Sequence, residues 1–240
     1  MRTAVVTGGG TGIGFAIASA LIDAGTRVFI TGRRADVLDA AAAALGPHTQ
    51  ALPCDHTDPD HVSRLAAQFT EPIDILVNNA GGNTDFDADA PDGLHELADR
   101  WRTNLEANLI SAVLTTTALG DRLATGGAVV HIGSIAAHNG AGSYGAAKAA
   151  LASWNVQLAA ELGSRDVTSN VVAPGYIAET EFFRDKLADT RRTTLIASTH
   201  TGRAGTPADV ANTIGFLTSS GARHITGQVI NVNGGALTTI

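Results

Sequence analysis

The sequence predicts an α/β fold: a doubly wound parallel sheet of seven strands, with helices on both faces. Two observations predict it. Short apolar runs alternate with longer helical patterns from one end of the chain to the other, the pattern of a parallel sheet built from strand–helix–strand units. Each turn rich in glycine, asparagine or small polar residues falls directly after an apolar run, where ligand loops lie in open parallel sheets. The 240 residues contain no repeat, linker or low-complexity tail, and 44% are hydrophobic. One domain spanning 1–240 is expected, large enough to bury a core without disulfides or metals.

The elements follow in order. Thr3–Thr7 reads as a buried strand. Gly12–Ala24 reads as a helix with Ile13, Ile17, Leu21 and Ile22 on one side, ended by Gly25. Arg27–Thr31 is the second strand, and Ala35–Leu45 the second helix, closed by Gly46-Pro47. Thr49–Cys54 is the third strand. Asp58 caps a helix that carries Pro59 at its first position and runs to about Phe69. Ile73–Asn78 is strand four. Gly81–Gly93 is a loop holding Asp85, Asp87, Asp89 and Asp92; it lacks the glycine turn and terminal glutamate of a calcium loop, so a solvated loop is expected over a metal site. A long helix is expected from about Leu94 to Ala124, then strand five at Ala128–Ile132, a helix at Ser143–Leu162 and strand six at Val167–Ala173. Pro174-Gly175 opens an irregular segment to about Thr206. A helix at Pro207–Ser219 and a strand at Gly227–Val232 close the sheet.

Composition removes several function classes. The net charge of −7 is wrong for general nucleic-acid binding, which needs a basic face. Cys54 is the single cysteine, so neither an intrachain disulfide nor a thiolate metal cluster can form. No apolar run reaches the length of a membrane span, and the first residues lack the apolar core of a signal peptide. A cytoplasmic location, with no membrane partner, is the expectation.

The residues that carry chemistry lie after the strands. Thr7-Gly8-Gly9-Gly10-Thr11-Gly12-Ile13-Gly14 follows strand one, with the spacing T-G-x-x-x-G-x-G. Glycines there let the backbone approach a pyrophosphate at a helix N-terminus, so Gly8, Thr11, Gly12, Ile13 and Gly14 are candidate contacts to a dinucleotide in a Rossmann-type fold. Strand two ends in Gly32, where a carboxylate would favour NAD. Arg33 and Arg34 follow, and a guanidinium fork suits a 2′-phosphate, so NADP (NADPH) is expected over NAD. Asp55, after strand three, either accepts from an adenine amino group or serves a capping turn. Asn78-Asn79-Ala80-Gly81, after strand four, would tie strands together and wall the cofactor cleft.

Tyr144 and Lys148 stand four apart on a predicted helix and share a face. The chain has two tyrosines and two lysines, so a Y-x-x-x-K spacing has chance odds of roughly one in sixty. An ammonium close to a phenol favours the phenolate and lowers its pKa. Tyr144 would then exchange a proton with a carbonyl or alcohol oxygen, while Lys148 tunes it and binds the ribose. Ser134, after strand five, would hydrogen-bond the substrate oxygen; no G-x-S-x-G surrounds it, which argues against a hydrolase nucleophile. His131, on the strand, reads as structural, and His138, in the following loop, as a wall of the substrate pocket.

Together these motifs resemble the short-chain dehydrogenase/reductase family in its compact single-domain branch, from Thr7 to Gly235. The resemblance implies an oxidoreductase that moves a hydride between a nicotinamide and a carbonyl or secondary alcohol. It implies Ser134, Tyr144 and Lys148 as catalytic residues and adds Asn108, which would hold a water that passes protons to Lys148. It also implies that Asn79, Ala80, Gly81, Tyr144, Lys148, Pro174, Gly175, Ile177 and Thr180 meet the cofactor. Within the family the chain is similar to 3-oxoacyl-[acyl-carrier-protein] reductases and polyketide-type ketoreductases. A carbonyl substrate, free or borne on an acidic carrier protein docked near Arg165, and a homotetramer are therefore expected. A dehydrogenase of a free polyol, sugar or small alcohol is the alternative, and a non-catalytic NADP-binding redox sensor a distant one. Residues 179–200 should form a substrate lid with an apolar wall of Phe182, Phe183, Leu187, Leu195 and Ile196. Two departures stand out: the stretch from Ser134 to Tyr144 is a few residues short, and one extra residue precedes Thr180.

Overall fold

The computed structural model describes residues 1–239 apart from 88 and 184–186. The side chain of Asp87, Lys186 and part of the expected lid lie outside the described residues. Seven parallel strands form one sheet in the order β3-β2-β1-β4-β5-β6-β7. They are β1 (Thr3–Thr7), β2 (Arg27–Gly32), β3 (Thr49–Pro53), β4 (Ile73–Asn78), β5 (Leu123–Ile132), β6 (Thr168–Pro174) and β7 (Val229–Val232). The chain winds outward from β1 to β3 and then returns to β4 on β1's other side. The carboxyl ends of β1 and β4 therefore flank the point where strand order reverses and a crevice opens.

Side-chain alternation along the strands feeds two cores. Ala4 and Val6 of β1 face one layer, packed by α1 (Gly12–Asp23), α2 (Ala35–Leu45) and α9 (Pro207–Leu217). Val5 faces the other, packed by α3 (Pro59–Ala66), α5 (Ser111–Leu119) and α7 (Gly142–Gly163). The two short helices with proline at their start are fixed by side chains. Asp58 accepts from the backbone of Asp60 and His61 ahead of α3, and Thr206 forms a reciprocal box with Asp209 ahead of α9. Among the described residues no helix is long and apolar enough to cross a membrane.

The expected helix from Leu94 to Ala124 is not continuous. It runs as α4 (Gly93–Leu105), a π-helical turn at Glu106–Ile110, and α5, then tightens into a 3-10 turn at Gly120–Arg122. The Asn108 side chain takes the carbonyl of Asn104 at 3.0 Å, so a side-chain donor enters the backbone ladder and widens it. The helix ends because Arg165 donates to the carbonyls of Gly120 and Leu123, and β5 begins there, five residues earlier than expected. Arg165, half-buried, thereby spends two of its donors on backbone carbonyls. Helices α6 (Ala136–Asn139) and α8 (Asp189–Ala197) lie in stretches read as loop or irregular. The third helix stops at Ala66, short of Phe69.

Two buried histidines make stability depend on pH. His56 bridges β2 and α5: its Nε2 lies 2.6 Å from Thr31 Oγ1 and its Nδ1 2.8 Å from Thr115 Oγ1. The Thr115 hydroxyl donates to the Ser111 carbonyl, so Nδ1 carries the proton and Thr31 donates to Nε2. Burial pushes the His56 imidazole down to about 4, and burial with the nearby Lys148 pushes His131 down to about 3. Above the unfolded value of 6.5 both states are neutral and the stability is fully present; as pH falls below it, the unfolded chain takes up protons that the folded chain refuses. Between roughly pH 4 and 6.5 the unfolding free energy should therefore fall by up to about 2.7 kcal/mol per pH unit. Urea unfolding at several pH values measures this slope. His56→Gln should roughly halve it, and a flat profile would overturn the assignment.

Candidate active site

Each candidate catalytic or cofactor residue except Asn108 lines one cleft of about 1000 Å³ above the carboxyl ends of the strands. The glycine turn forms its floor. Gly8 and Gly12 take φ of +63° and +52°, which glycine adopts without strain. A Cβ on Gly14 would stand 2.1 Å from the Gly8 carbonyl oxygen. Asn79 locks the turn from the side: its amide donates to the carbonyls of Thr7 and Gly8 at 2.9 and 3.0 Å, and the Thr7 hydroxyl accepts from the backbone of Asn79 and Ala80. Thr11, the N-cap of α1, makes no side-chain capping bond, and no acidic residue lies in the first turn. The helix N-terminus thus keeps its backbone donors and positive end for an anion, and this cradle fits a pyrophosphate.

The arginines after β2 divide. Arg34 pairs with Glu181 at 2.8 Å, both well exposed, so it ties the cleft rim to the segment after Thr180. Arg33 lines the cleft and acts on Asp55. Partial burial works to raise the Asp55 carboxyl, but bonds from Thr57 and the charge of Arg33 hold it below its ordinary range. Asp55 thus serves a turn, accepting from the backbone and hydroxyl of Thr57, while also facing the cleft. Burial, followed by the charges of Asp55 and Asp58, pushes the Cys54 thiol up to about 11, so it is unreactive at neutral pH.

At the other end α7 delivers Tyr144 and Lys148, both buried. Lys148 Nζ donates to the carbonyl of Ile132 at 2.8 Å and lies 5.8 Å from the Tyr144 ring centroid. Ser134 lines the same end of the cleft as Tyr144 despite the shortened stretch between them, its hydroxyl accepting from the Ala136 amide at 3.1 Å. The expected lowering of the phenol by lysine does not hold here. Burial pushes Tyr144 up to about 12, with the nearby Ser134 hydroxyl working the other way, and pushes Lys148 itself down to about 8. Desolvation dominates at both groups, and the ammonium's hydrogen bond goes to the Ile132 carbonyl rather than to the phenol.

Asn108, almost fully buried, clasps the loop after β4: it donates to the Gly82 carbonyl at 2.9 Å and accepts from the Gly82 amide at 3.0 Å. Asn78 bonds Thr116 and His131, tying β4 to α5 and β5 as expected. His131 is wholly buried beside Trp154, a structural position. His138 does not wall the pocket: it is exposed on α6, outside the cleft lining. Glu179 absorbs the extra residue before Thr180 by taking a φ of +58°, and Thr180 still reaches the glycine turn beside Gly12. Phe182 and Phe183 line the cleft and Phe182 packs on Tyr144; Leu187 lines an adjoining pocket that shares Thr11, Gly12, Thr180 and Phe183 with it, whereas Leu195 and Ile196 line neither. Sequence reasoning gave no role at the site to Phe86, Asn104 or Ser143, named Thr7 only as part of the glycine motif, and read Asp85 as part of a solvated loop. The signal for Asn104 and Ser143 was present: polar residues at positions that face inward.

Comparison with known proteins agrees with this geometry. Residues 8–237 match the family model described as "Enoyl-(Acyl carrier protein) reductase". The chain is 36% identical to 3-oxoacyl-[acyl-carrier-protein] reductase of Escherichia coli (strain K12), covering 98% of this chain and 96% of that protein. It is equally similar, over the same shares, to Nodulation protein G of Rhizobium sp. (strain N33). Among solved structures, a short-chain type dehydrogenase/reductase from Mycobacterium ulcerans superposes with a TM-score of 0.88 at 31% identity, over 98% of this chain and 89% of that one. A Brucella melitensis protein titled as a short-chain dehydrogenase/reductase, glucose/ribitol dehydrogenase, gives 0.86 at 30%, over 99% and 97%. With a parallel sheet, a glycine cradle and a serine, tyrosine and lysine meeting at one end of the cleft, the chain belongs to the short-chain dehydrogenase/reductase family of oxidoreductases.

Proposed function

We propose that the chain is an NADPH-dependent ketoreductase of the 3-oxoacyl or polyketide type. The observation that carries the reading is the convergence of Ser134, Tyr144 and Lys148 in the cleft whose other end holds Arg33. When bound, the dinucleotide supplies the hydride. Ser134 and Tyr144 hold the substrate oxygen by hydrogen bonds, and Tyr144, a protonated phenol at neutral pH, gives its proton to that oxygen as negative charge develops. Lys148 keeps positive charge beside the phenol as the proton leaves. Asn108 holds the loop after β4 against the helix, and in the family's manner positions a water that refills the proton through Lys148. Gly8, Thr11, Gly12, Ile13 and Gly14 receive the pyrophosphate; Asn79, Ala80, Gly81, Pro174, Gly175, Ile177 and Thr180 line the nicotinamide half; Asp55 faces the adenine. The chain acts as one domain with residues 179–200 as its lid.

The similarity to a 3-oxoacyl-[acyl-carrier-protein] reductase supports a 3-oxoacyl thioester as substrate. The engagement of Arg165 with backbone favours a second reading, a free ketone or small alcohol. NADPH oxidation with carrier-bound thioesters, short thioester mimics, free ketones and polyol-derived ketones separates them. The expected result is turnover of thioester mimics; turnover of free ketones alone selects the second reading, and no turnover overturns both. A homotetramer is supported by exposed apolar side chains on α4 and α7 (Leu94, Leu97, Trp101, Val156) and near the sheet edge (Phe216, Val229).

Cofactor choice is tested at Arg33. Arg33→Ala should weaken NADPH by about tenfold or more and leave NADH nearly unchanged, because one charge-assisted pair to a phosphate is worth about 1.5–3 kcal/mol. Equal losses for both cofactors in a fluorescence titration would overturn the 2′-phosphate assignment.

A further inference from the structure

We propose that Asp85, Ser143 and Asn104 form a joint that holds the substrate-side wall of the cleft in register with Tyr144, with Asp85 as a positioning residue. The inference rests on the reading of Tyr144 as the proton donor. Ser143 directly precedes Tyr144 and is buried, 2% exposed. Its hydroxyl donates to Asp85 Oδ2 at 2.8 Å and accepts from Asn104 Nδ2 at 2.8 Å. Asn104 is fully buried, and its Oδ1 accepts from the Thr84 amide at 3.2 Å. Both ends of that side chain are thus assigned, oxygen toward an N–H and nitrogen toward the serine oxygen. The serine proton is left for the carboxylate, so the chain of bonds runs one way and ends on a charge.

The joint fixes the loop after β4 at three points. Gly82 is clasped by Asn108, Thr84 is held by Asn104, and Asp85 is held by Ser143. The last tie reaches the second residue of α7, a 22-residue helix with no acidic residue in its own first turn and no side-chain cap. The Asp85 carboxylate therefore lies at the end of the helix that favours negative charge. The next residue carries the wall. Phe86 meets Phe182 at 5.4 Å and Phe183 at 5.3 Å between ring centroids, and Phe182 meets the Tyr144 ring at 5.8 Å. A shift of Asp85 is thus a shift of the aromatic surface that faces the proton donor.

Stability alone does not account for this arrangement. Among the described residues Asp85 Oδ1 is buried without a hydrogen-bond partner, a cost that an apolar residue in the same turn would avoid. The carboxylate is placed for the serine, and the serine is placed beside the phenol.

The test compares Asp85→Ala, Asp85→Asn and Ser143→Ala with the unmodified protein, on whichever carbonyl the panel above identifies. The readouts are kcat, KM for the carbonyl, the enantiomeric ratio of the alcohol, NADPH affinity and Tm. Asp85→Ala and Ser143→Ala should lower kcat/KM for the carbonyl by about tenfold or more and erode the enantiomeric ratio, with NADPH affinity retained. Asp85→Asn keeps an acceptor oxygen for the serine and should restore most of both. Unchanged kcat/KM and enantiomeric ratio in both truncations would overturn the joint. So would a loss that tracks Tm and NADPH affinity and is not rescued by asparagine. If Asp85→Ala does not fold, Asp85→Asn and Ser143→Ala carry the comparison. A protein that reduces no carbonyl at all overturns the proposed function, whereas an active protein with indifferent variants overturns only the joint.

Discussion

Tyr144→Phe should lower kcat for carbonyl reduction by about 10²–10⁴-fold while NADPH binding survives. The ring is 6% exposed and packed against Phe182, so phenylalanine fills the same space and the fold is kept. What is lost is the phenol hydroxyl of the ring that lies beside Lys148. The shifted groups predict the pH profile as well. Burial holds the phenol protonated to about 12, so the donor form dominates through neutrality. Lys148, pushed down to about 8, loses its charge as pH rises through that value, and the emerging phenolate then loses its stabilisation. The rate of reduction should therefore fall above about pH 8, and the residual activity of Tyr144→Phe should not follow that limb. Steady-state rates across pH, with NADPH fluorescence titration on the same samples, check both statements. Turnover of Tyr144→Phe within a few-fold of the parent would remove tyrosine from the reaction.

Gly14→Ala should abolish cofactor binding in the working range and destabilise the protein by about 1–3 kcal/mol. The added methyl would stand 2.1 Å from the Gly8 carbonyl oxygen and 2.5 Å from Asn79 Nδ2, inside the clamp that shapes the phosphate turn. Neither neighbour can retreat. The Gly8 carbonyl is part of the turn, and Asn79 is bound to Thr7 and Gly8 together. Gly215→Ala is the control: nothing outside its own helix lies within 4 Å of the added carbon, and the protein should gain about 0.4–1 kcal/mol. Urea midpoints and NADPH titration of the two variants measure the contrast. A Gly14→Ala protein that bound NADPH as tightly as the parent would show that the turn is not the phosphate cradle.

Much of the candidate site was legible because its residues are local in sequence. The glycine turn, Asn79–Gly81 and the Tyr144–Lys148 pair each need only one strand end or one helix turn to be recognised, and period and spacing encode those. Asn108 was different. Its place follows from a π-helical turn created by its own side chain, and a helical pattern at 3.6 residues per turn does not show where one extra residue enters. The same limit produced the overlong fourth helix, whose end is set by Arg165, some 45 residues away in sequence from Gly120.

The sequence by itself determined the alternation of strands and helices, the doubly wound sheet and the local motifs that hold the candidate side chains Tyr144 and Lys148, because each depends on periodicity or short-range stereochemistry. Tertiary structure alone decided their electrostatic state and their partners. Burial made Tyr144 a weaker acid and Lys148 a weaker base, reversing the expectation drawn from their spacing. Contacts between distant segments paired Arg34 with Glu181, engaged Arg165 with backbone, and set Asp85 against Ser143. Desolvation and long-range hydrogen bonding depend on what the fold packs around a group, and no window of sequence carries that information.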